Sequence, residues 1–176
     1  MVSARMSKTA YVNVNRIFKA AIIYATAVGF IGCSITYFSA DLFADVLFKT
    51  PYTAFALKTL APTIWVMAYL GVFRGYYQGH STMIPTAVSQ IIEQVVNAAV
   101  SILAAQRLSQ YAIEHQREAS EVHSYGAAGG TIGTGAGALS ALLLLILLYA
   151  LYNRLYKYKA GLNAKTESYK EITKIL

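Results

Sequence analysis

Polar side chains recur at helical spacing inside an otherwise apolar stretch of the chain, 84–105, whose one formal charge is Glu93. Steps of three and four residues place the members of this polar stripe on one helical face. They are Thr86, Gln90, Glu93, Gln94, Asn97 and Ser101. A carboxyl group at membrane depth costs at least about 2.5 kcal/mol, and such groups usually face a water-filled cavity or a polar partner. We therefore expect the polar stripe to line a polar route or pocket.

Glu93 admits two interpretations. It could carry protons, bind a cation or hydrogen-bond a polar head group during transport. Alternatively, it could pair with an arginine or lysine of another helix and only fix the packing. The further polar side chains on the same face exceed what one helix contact requires, and this favours a functional role.

Arg74 stands just before the stripe, in the sequence GVFRGYYQG. A guanidinium group can hold a phosphate at two places, so Arg74 would suit an anionic substrate at a cytoplasmic mouth. A plain topological anchor explains the residue equally well. Gly71, Gly75 and Gly79 recur every four residues around it and predict close helix packing.

The sequence contains no convincing catalytic, metal-binding or dinucleotide-binding motif. His80 beside Ser81 has no carboxylate at useful spacing, and the spacing of His115 and His123 matches no strong metal-ligand pattern. The glycines of GGTIGTGAGA, 129–138, lack the preceding strand of a dinucleotide site and instead predict a flat surface for a neighbouring helix. We expect no catalytic residue, no metal and no cofactor, and therefore not an enzyme.

Composition gives the class of protein. The chain has 176 residues, of which 56% are hydrophobic and 13% charged, with a net charge of +7. Such a composition excludes a disordered chain or an ordinary soluble domain. The positive residues flank apolar runs rather than interleave with exposed aromatics, so we expect a membrane protein and no nucleic-acid partner.

Four apolar runs predict an all-α integral membrane protein with four transmembrane helices, at 20–40, 52–73, 84–105 and 127–152. The end segments 1–19 and 153–176 are basic, and a short basic turn is expected at 74–82. The connections 41–51 and 106–124 are both net negative and are expected as outer loops. Because cytoplasmic segments carry the excess of lysine and arginine, both termini are predicted to be cytoplasmic.

The stretch YLGVFRGYYQGHSTMIPTAVSQIIEQVVN resembles the polysaccharide flippases of Gram-positive bacteria. This group is related to stage V sporulation protein B and the lipid II flippase MurJ, within the multidrug and toxin extrusion superfamily. The matching residues are Tyr69, Leu70, Gly71, Arg74, Gly75, Gln78, Gly79, Met83, Pro85, Thr86, Ala87, Ser89, Gln90, Glu93 and Gln94. A weaker match is VSARMSK, 2–8, which is similar to the basic connection entering the third span of those proteins.

The resemblance implies a membrane transporter of two helical bundles that moves undecaprenyl-pyrophosphate-linked sugars across the bacterial cytoplasmic membrane. This chain would then be a fragment, equivalent to the third to sixth spans of the first bundle. Its partners would be a lipid-linked anionic substrate, membrane lipids and the missing helices of the full transporter. The polar stripe and the resemblance together give the expected cavity or substrate-binding residues, which are Arg74, Gln78, Thr86, Gln90, Glu93, Gln94 and Asn97.

Two other functions stay open on the residues alone. A cation-coupled multidrug exporter would use Glu93 to bind its coupling ion. A non-transporting subunit would use its four helices only to pack against a partner.

Overall fold

The computed structural model describes residues 11–47, 49–50 and 53–156, and every regular element in those ranges is helical. The long helices are α1 (Tyr11–Phe38), α2 (Thr53–Gly79), α3 (Ile84–Glu114) and α4 (Ala119–Tyr156). A short helical turn, Ala40–Leu42, follows α1 and continues as a π-helical turn, Phe43–Leu47. The predicted all-α class is confirmed.

Each long helix contains a segment that is long and apolar enough to cross a membrane. These segments are Val14–Phe38, Thr53–Gly79, Ile84–Glu114 and Ala119–Leu151. Large apolar side chains cover the outside of the bundle: Phe38 and Ile84, for example, are 81% and 75% exposed. A surface of this kind is suited to lipid rather than water. The predicted integral membrane fold with four apolar helices is therefore confirmed.

Helix α2 continues further than the sequence predicted. The expectation of a turn over 74–82 is wrong, because α2 runs to Gly79 and only 80–83 leave the helix. Glycine weakens a helix by about 1 kcal/mol, and the hydrophilic composition of this segment suggested a break. Tertiary packing decides otherwise, since Phe73, Tyr76 and Tyr77 are buried and hold the last turns of α2 in place. Arg74 thus lies inside a helix.

The hydrophilic segment predicted as an outer loop, 106–124, is also mostly helical. Helix α3 extends to Glu114 and α4 begins at Ala119, which leaves only 115–118 as the connection. The 31 residues of α3 measure about 46 Å, whereas a hydrocarbon core is about 30 Å thick. A helix that leaves the lipid can continue into water, so the end of hydrophobicity does not mark the end of the helix. Most of the predicted basic segments 1–19 and 153–176 lies outside the described residues, at 1–10 and 157–176.

Helix α4 packs against both α2 and α3, which contact each other directly over only a few residues, and α1 packs against α2. Small residues make these contacts possible. A Cβ atom at Gly129 or Gly133 would overlap the backbone of α3, so the predicted flat glycine surface on α4 is confirmed. On α1, a Cβ atom at Gly29 would lie 2.7 Å from the side chain of Trp65. The backbones therefore approach closely at both interfaces.

An aromatic cluster joins α1, α2 and α4 at the end of the bundle that carries the α2–α3 turn. The ring of Phe18 lies 5.1 Å from Phe73, 4.7 Å from Tyr76 and 5.0 Å from Tyr149, measured between centroids. Such edge-to-face and tilted pairs add to the packing of a core. The cluster fixes the direction of the last turns of α2, from which Arg74 projects.

Candidate functional site

An ion pair connects α2 to α3. Arg74 Nη2 donates a hydrogen bond to Glu93 Oε2 over 2.5 Å. The two side chains are 17% and 11% exposed, so the pair is largely withdrawn from the surface. Two opposite charges at short distance cancel in a medium of low dielectric, and this removes much of the cost of placing either one in a membrane.

A second contact orients the guanidinium group. Arg74 Nε donates to Ser89 Oγ over 3.3 Å, and that hydroxyl donates to the Thr86 carbonyl over 2.7 Å. Ser89 is fully buried. The side-chain hydroxyl of Thr86 is also buried, and within the described part of the chain it has no hydrogen-bond partner. Arg74 is therefore held from two successive turns of α3, beside one buried oxygen that remains available.

The turn at 80–83 explains how the two charges meet. Ser81 adopts a positive φ of 58° and reverses the chain, and Pro85 stands in the first turn of α3. At about 1.5 Å per residue, Arg74 lies about 8 Å from the end of α2 and Glu93 about 14 Å from the start of α3. The long arginine side chain spans this difference in depth. An antiparallel helix pair with a short turn thus positions the ion pair.

The far half of the polar stripe serves helix packing. Ser101 Oγ donates to Asn97 Oδ1 over 2.9 Å and lies 3.1 Å from the Gly130 carbonyl of α4. Thr134 of α4 reaches the same Asn97 oxygen at 3.5 Å. Hydrogen bonds of this kind commonly link membrane helices. Asn97, predicted to line a cavity, therefore contacts α4 in the structure.

A second group of predicted site residues is exposed. Gln90 and Gln94 of α3 and Gln78 of α2 all face outward from the described chain. Gly71 lies one turn before Arg74 on the same face of α2 and Gly75 directly follows Arg74, and a Cβ atom at either glycine would meet nothing within 4 Å. The helix packing predicted at these two glycines is not found among the described residues. We call these five residues the amide surface.

The structure thus divides the predicted site residues into three sets. Arg74 and Glu93 pair at the α2–α3 contact and Thr86 is buried about two turns before Glu93 on α3; the three glutamines belong to the amide surface, and Asn97 packs against α4. Pairing of Glu93 with an arginine of another helix was one of the two interpretations that the sequence allowed, and the structure has this pairing; that the partner is Arg74, and that Ser89 also contacts it, was not predicted. Opposite charges on two apolar segments joined by a short turn are the signal that could have found the pair.

The fold and this site define a multi-pass α-helical membrane protein in which opposite charges meet between two adjacent helices. Comparison with known proteins then relates its sequence to flippases. It is 30% identical over 103 residues to "Lipid II flippase MurJ" of Bacillus subtilis (strain 168), a match that covers 54% of this chain and 19% of the relative. It is 31% identical over 104 residues to "Stage V sporulation protein B" of the same organism, covering 59% and 18%.

These matches confirm the relationship that the central motif predicted. The chain spans less than a fifth of the length of these curated relatives. No family model and no solved structure matches the chain.

Proposed function

We propose that this chain is part of a membrane flippase that translocates an undecaprenyl-pyrophosphate-linked oligosaccharide or peptidoglycan precursor across the bacterial cytoplasmic membrane. The observation that carries the proposal is the exposed amide surface on two membrane-crossing helices, together with Arg74, whose guanidinium group keeps unused donors. The similarity to two flippases supports the same class of activity. The remaining helices of such a transporter would be the partners of these four.

The proposed mechanism involves no covalent chemistry. Arg74 keeps Glu93 and Ser89 as partners and donates with its remaining N–H groups to an oxygen of the substrate pyrophosphate, because a guanidinium group has five donors and these two contacts use only part of them. The open space at Gly71 and Gly75 gives the substrate a way to reach it. The exposed glutamines then face sugar or water, and repacking of the helices opens the site to the other side of the membrane.

The Arg74–Glu93 pair and the exposed glutamines help to distinguish a flippase from the two other functions, a multidrug exporter and a non-transporting subunit. A cation-coupled multidrug exporter needs Glu93 to bind the coupling ion, but the Arg74 guanidinium already balances this carboxylate at 2.5 Å. A non-transporting subunit would bury the exposed glutamines against a partner helix, whereas a flippase needs them to face water or sugar, so access of water to the amide surface separates these two functions. Drug-dependent proton flux through vesicles that contain the chain would favour the exporter over the flippase.

Ligand binding tests the proposal directly. The purified chain in lipid nanodiscs is titrated with undecaprenyl pyrophosphate and with undecaprenol, which has the same isoprenoid tail without the pyrophosphate. We expect the pyrophosphate compound to bind more tightly, and Arg74→Gln to weaken its binding by about tenfold, the value of one charge-assisted hydrogen bond. The matched control is Arg107→Gln, an exposed arginine on the same helix as Glu93 but far along it.

Two results would contradict the proposal. Equal affinity for undecaprenyl pyrophosphate and undecaprenol would show that the chain does not recognise the pyrophosphate. Equal losses in Arg74→Gln and Arg107→Gln would show only a general effect of positive charge.

A further inference from the structure

A second polar site lies at the opposite end of the bundle from the α2–α3 turn. A cleft of about 330 Å³ opens between the start of α2, the connection from α3 to α4 and the first turns of α4. We call it the loop cleft. Its polar and aromatic lining consists of Phe55, Lys58, Arg117, Glu121, Ser124 and Tyr125. None of these residues belongs to the Arg74 site.

The charged lining of the loop cleft favours an anion. Among the lining residues, Lys58 and Arg117 contribute two positive charges and Glu121 one negative charge; Asp41, the present partner of Lys58, lies outside the lining and adds a second negative charge that a bound anion would replace. An open cleft at a membrane surface admits ligands from water and from the headgroup layer alike. Charge complementarity therefore favours a small anionic group over a neutral or cationic one.

Lys58 and Arg117 each form an ion pair that is exposed to solvent and therefore weak. Arg117 lies 3.5 Å from Glu121, longer than the 2.7–2.9 Å of a good charge-assisted bond, and is 51% exposed. Lys58 donates to Asp41 over 2.8 Å, but that carboxylate is 64% exposed. Exposed ion pairs contribute little to stability. Both cations can exchange a carboxylate for a ligand oxygen at low cost.

The aromatic residues of the loop cleft are of the kind found where lipid headgroups meet the hydrocarbon core. The rings of Phe55 and Tyr125 lie 5.2 Å apart, and tyrosines are enriched where the headgroups meet the hydrocarbon. The 27 residues of α2 measure about 40 Å, longer than a hydrocarbon core of about 30 Å, so its ends reach the headgroup region. Cations beside aromatic rings at this level suit a phosphate that is attached to an apolar group.

We propose that the loop cleft binds a phosphate group at the membrane surface, with Lys58 and Arg117 as the donors. A phosphate offers several oxygens, so that a guanidinium fork and an ammonium group can bind it together. Phe55 and Tyr125 border the side where the remainder of the ligand lies. A phospholipid headgroup and a soluble phosphate ester share this chemistry. The site does not depend on whether the chain takes part in lipid translocation.

Three probes separate the sources of the phosphate. The detergent-solubilised full chain is titrated with dioctanoyl phosphatidylglycerol, with dioctanoylglycerol, which lacks the phosphate, and with glycerol phosphate, which lacks the acyl chains. The double variant Lys58→Gln/Arg117→Gln should bind the phosphate-bearing probe about tenfold more weakly. Glu121→Gln should bind it more tightly, because it releases Arg117 and raises the charge of the lining. Arg107→Gln, an exposed cation outside the cleft, should leave the affinity unchanged.

The Glu121→Gln variant distinguishes a ligand site from a purely structural ion pair. If Arg117 and Glu121 only stabilised the loop, removing either would impair the chain in the same direction, which size-exclusion chromatography would record. Binding of phosphatidylglycerol alone identifies the ligand as a lipid headgroup, and equal charge-dependent binding of glycerol phosphate identifies a soluble ester. Affinity for phosphatidylglycerol equal to that for dioctanoylglycerol, or unchanged in the double variant, would overturn the proposal.

Discussion

Arg74 of α2 donates to Glu93 of α3 over 2.5 Å, and these two charges neutralise each other between adjacent helices of the membrane bundle. The pair therefore has a structural effect in addition to any role in transport. Without Arg74, the carboxylate of Glu93 would stand largely buried and unbalanced. This relationship determines what substitution of either residue should do.

Removal of one partner should destabilise the bundle more than removal of both. Arg74→Leu and Glu93→Leu should each cost about 3–5 kcal/mol, because each leaves an uncompensated charge in a region of low dielectric. The double variant should cost less than either single variant, because it leaves no unpaired charge. Reversible unfolding in mixed detergent micelles gives the free energies, with Gln94→Leu, a change at an exposed amide, as control. Strictly additive effects would mean that the two side chains do not interact.

The same substitution at two glycines should have opposite effects. Gly133→Ala should destabilise by about 1–3 kcal/mol, because the new methyl group overlaps the α3 backbone and the helices must separate. Gly71→Ala should leave stability unchanged or slightly increased, since its methyl group meets nothing within 4 Å and alanine favours the helix. Thermal denaturation followed by size-exclusion chromatography checks both. Similar losses in the two variants would contradict the observed packing of α4 on α3.

Hydropathy predicted the helices well because length and apolar composition suffice to identify a membrane-crossing segment. Hydropathy could not predict where α2 and α3 end. Tertiary packing keeps α2 helical through Gly75, and α3 continues beyond the apolar segment into water as far as Glu114. The sequence allowed an arginine or lysine of another helix as the partner of Glu93, but it could not identify Arg74, because Arg74 was assigned to a turn. The loop cleft combines residues from separate parts of the chain, so no local sequence pattern could predict it.

The charge bias of the connections also predicts which side each turn faces. Met83, in the α2–α3 turn, should face the cytoplasm, and Glu118, in the α3–α4 connection, should face outward. Single cysteines at these positions, in a chain whose native Cys33 is replaced by alanine, are treated with a membrane-impermeant maleimide in intact cells. Glu118→Cys should react at once and Met83→Cys only after permeabilisation. The reverse pattern would invert the topology.

The amide surface is central to the proposed transport, because it is expected to face water within the membrane rather than lipid. Gln90 and Val95 are both exposed on α3, and at about 100° per residue they lie about 140° apart around the helix. Their relative reactivity therefore reports which side of α3 is wet.

The decisive measurement is the rate at which a water-soluble methanethiosulfonate reagent modifies Gln90→Cys and Val95→Cys in the membrane-embedded chain lacking Cys33. Gln90→Cys should react at least about tenfold faster, because ionised thiols exist only where water reaches them. Equal, slow modification of both cysteines would place the amide surface in lipid and contradict the transport proposal.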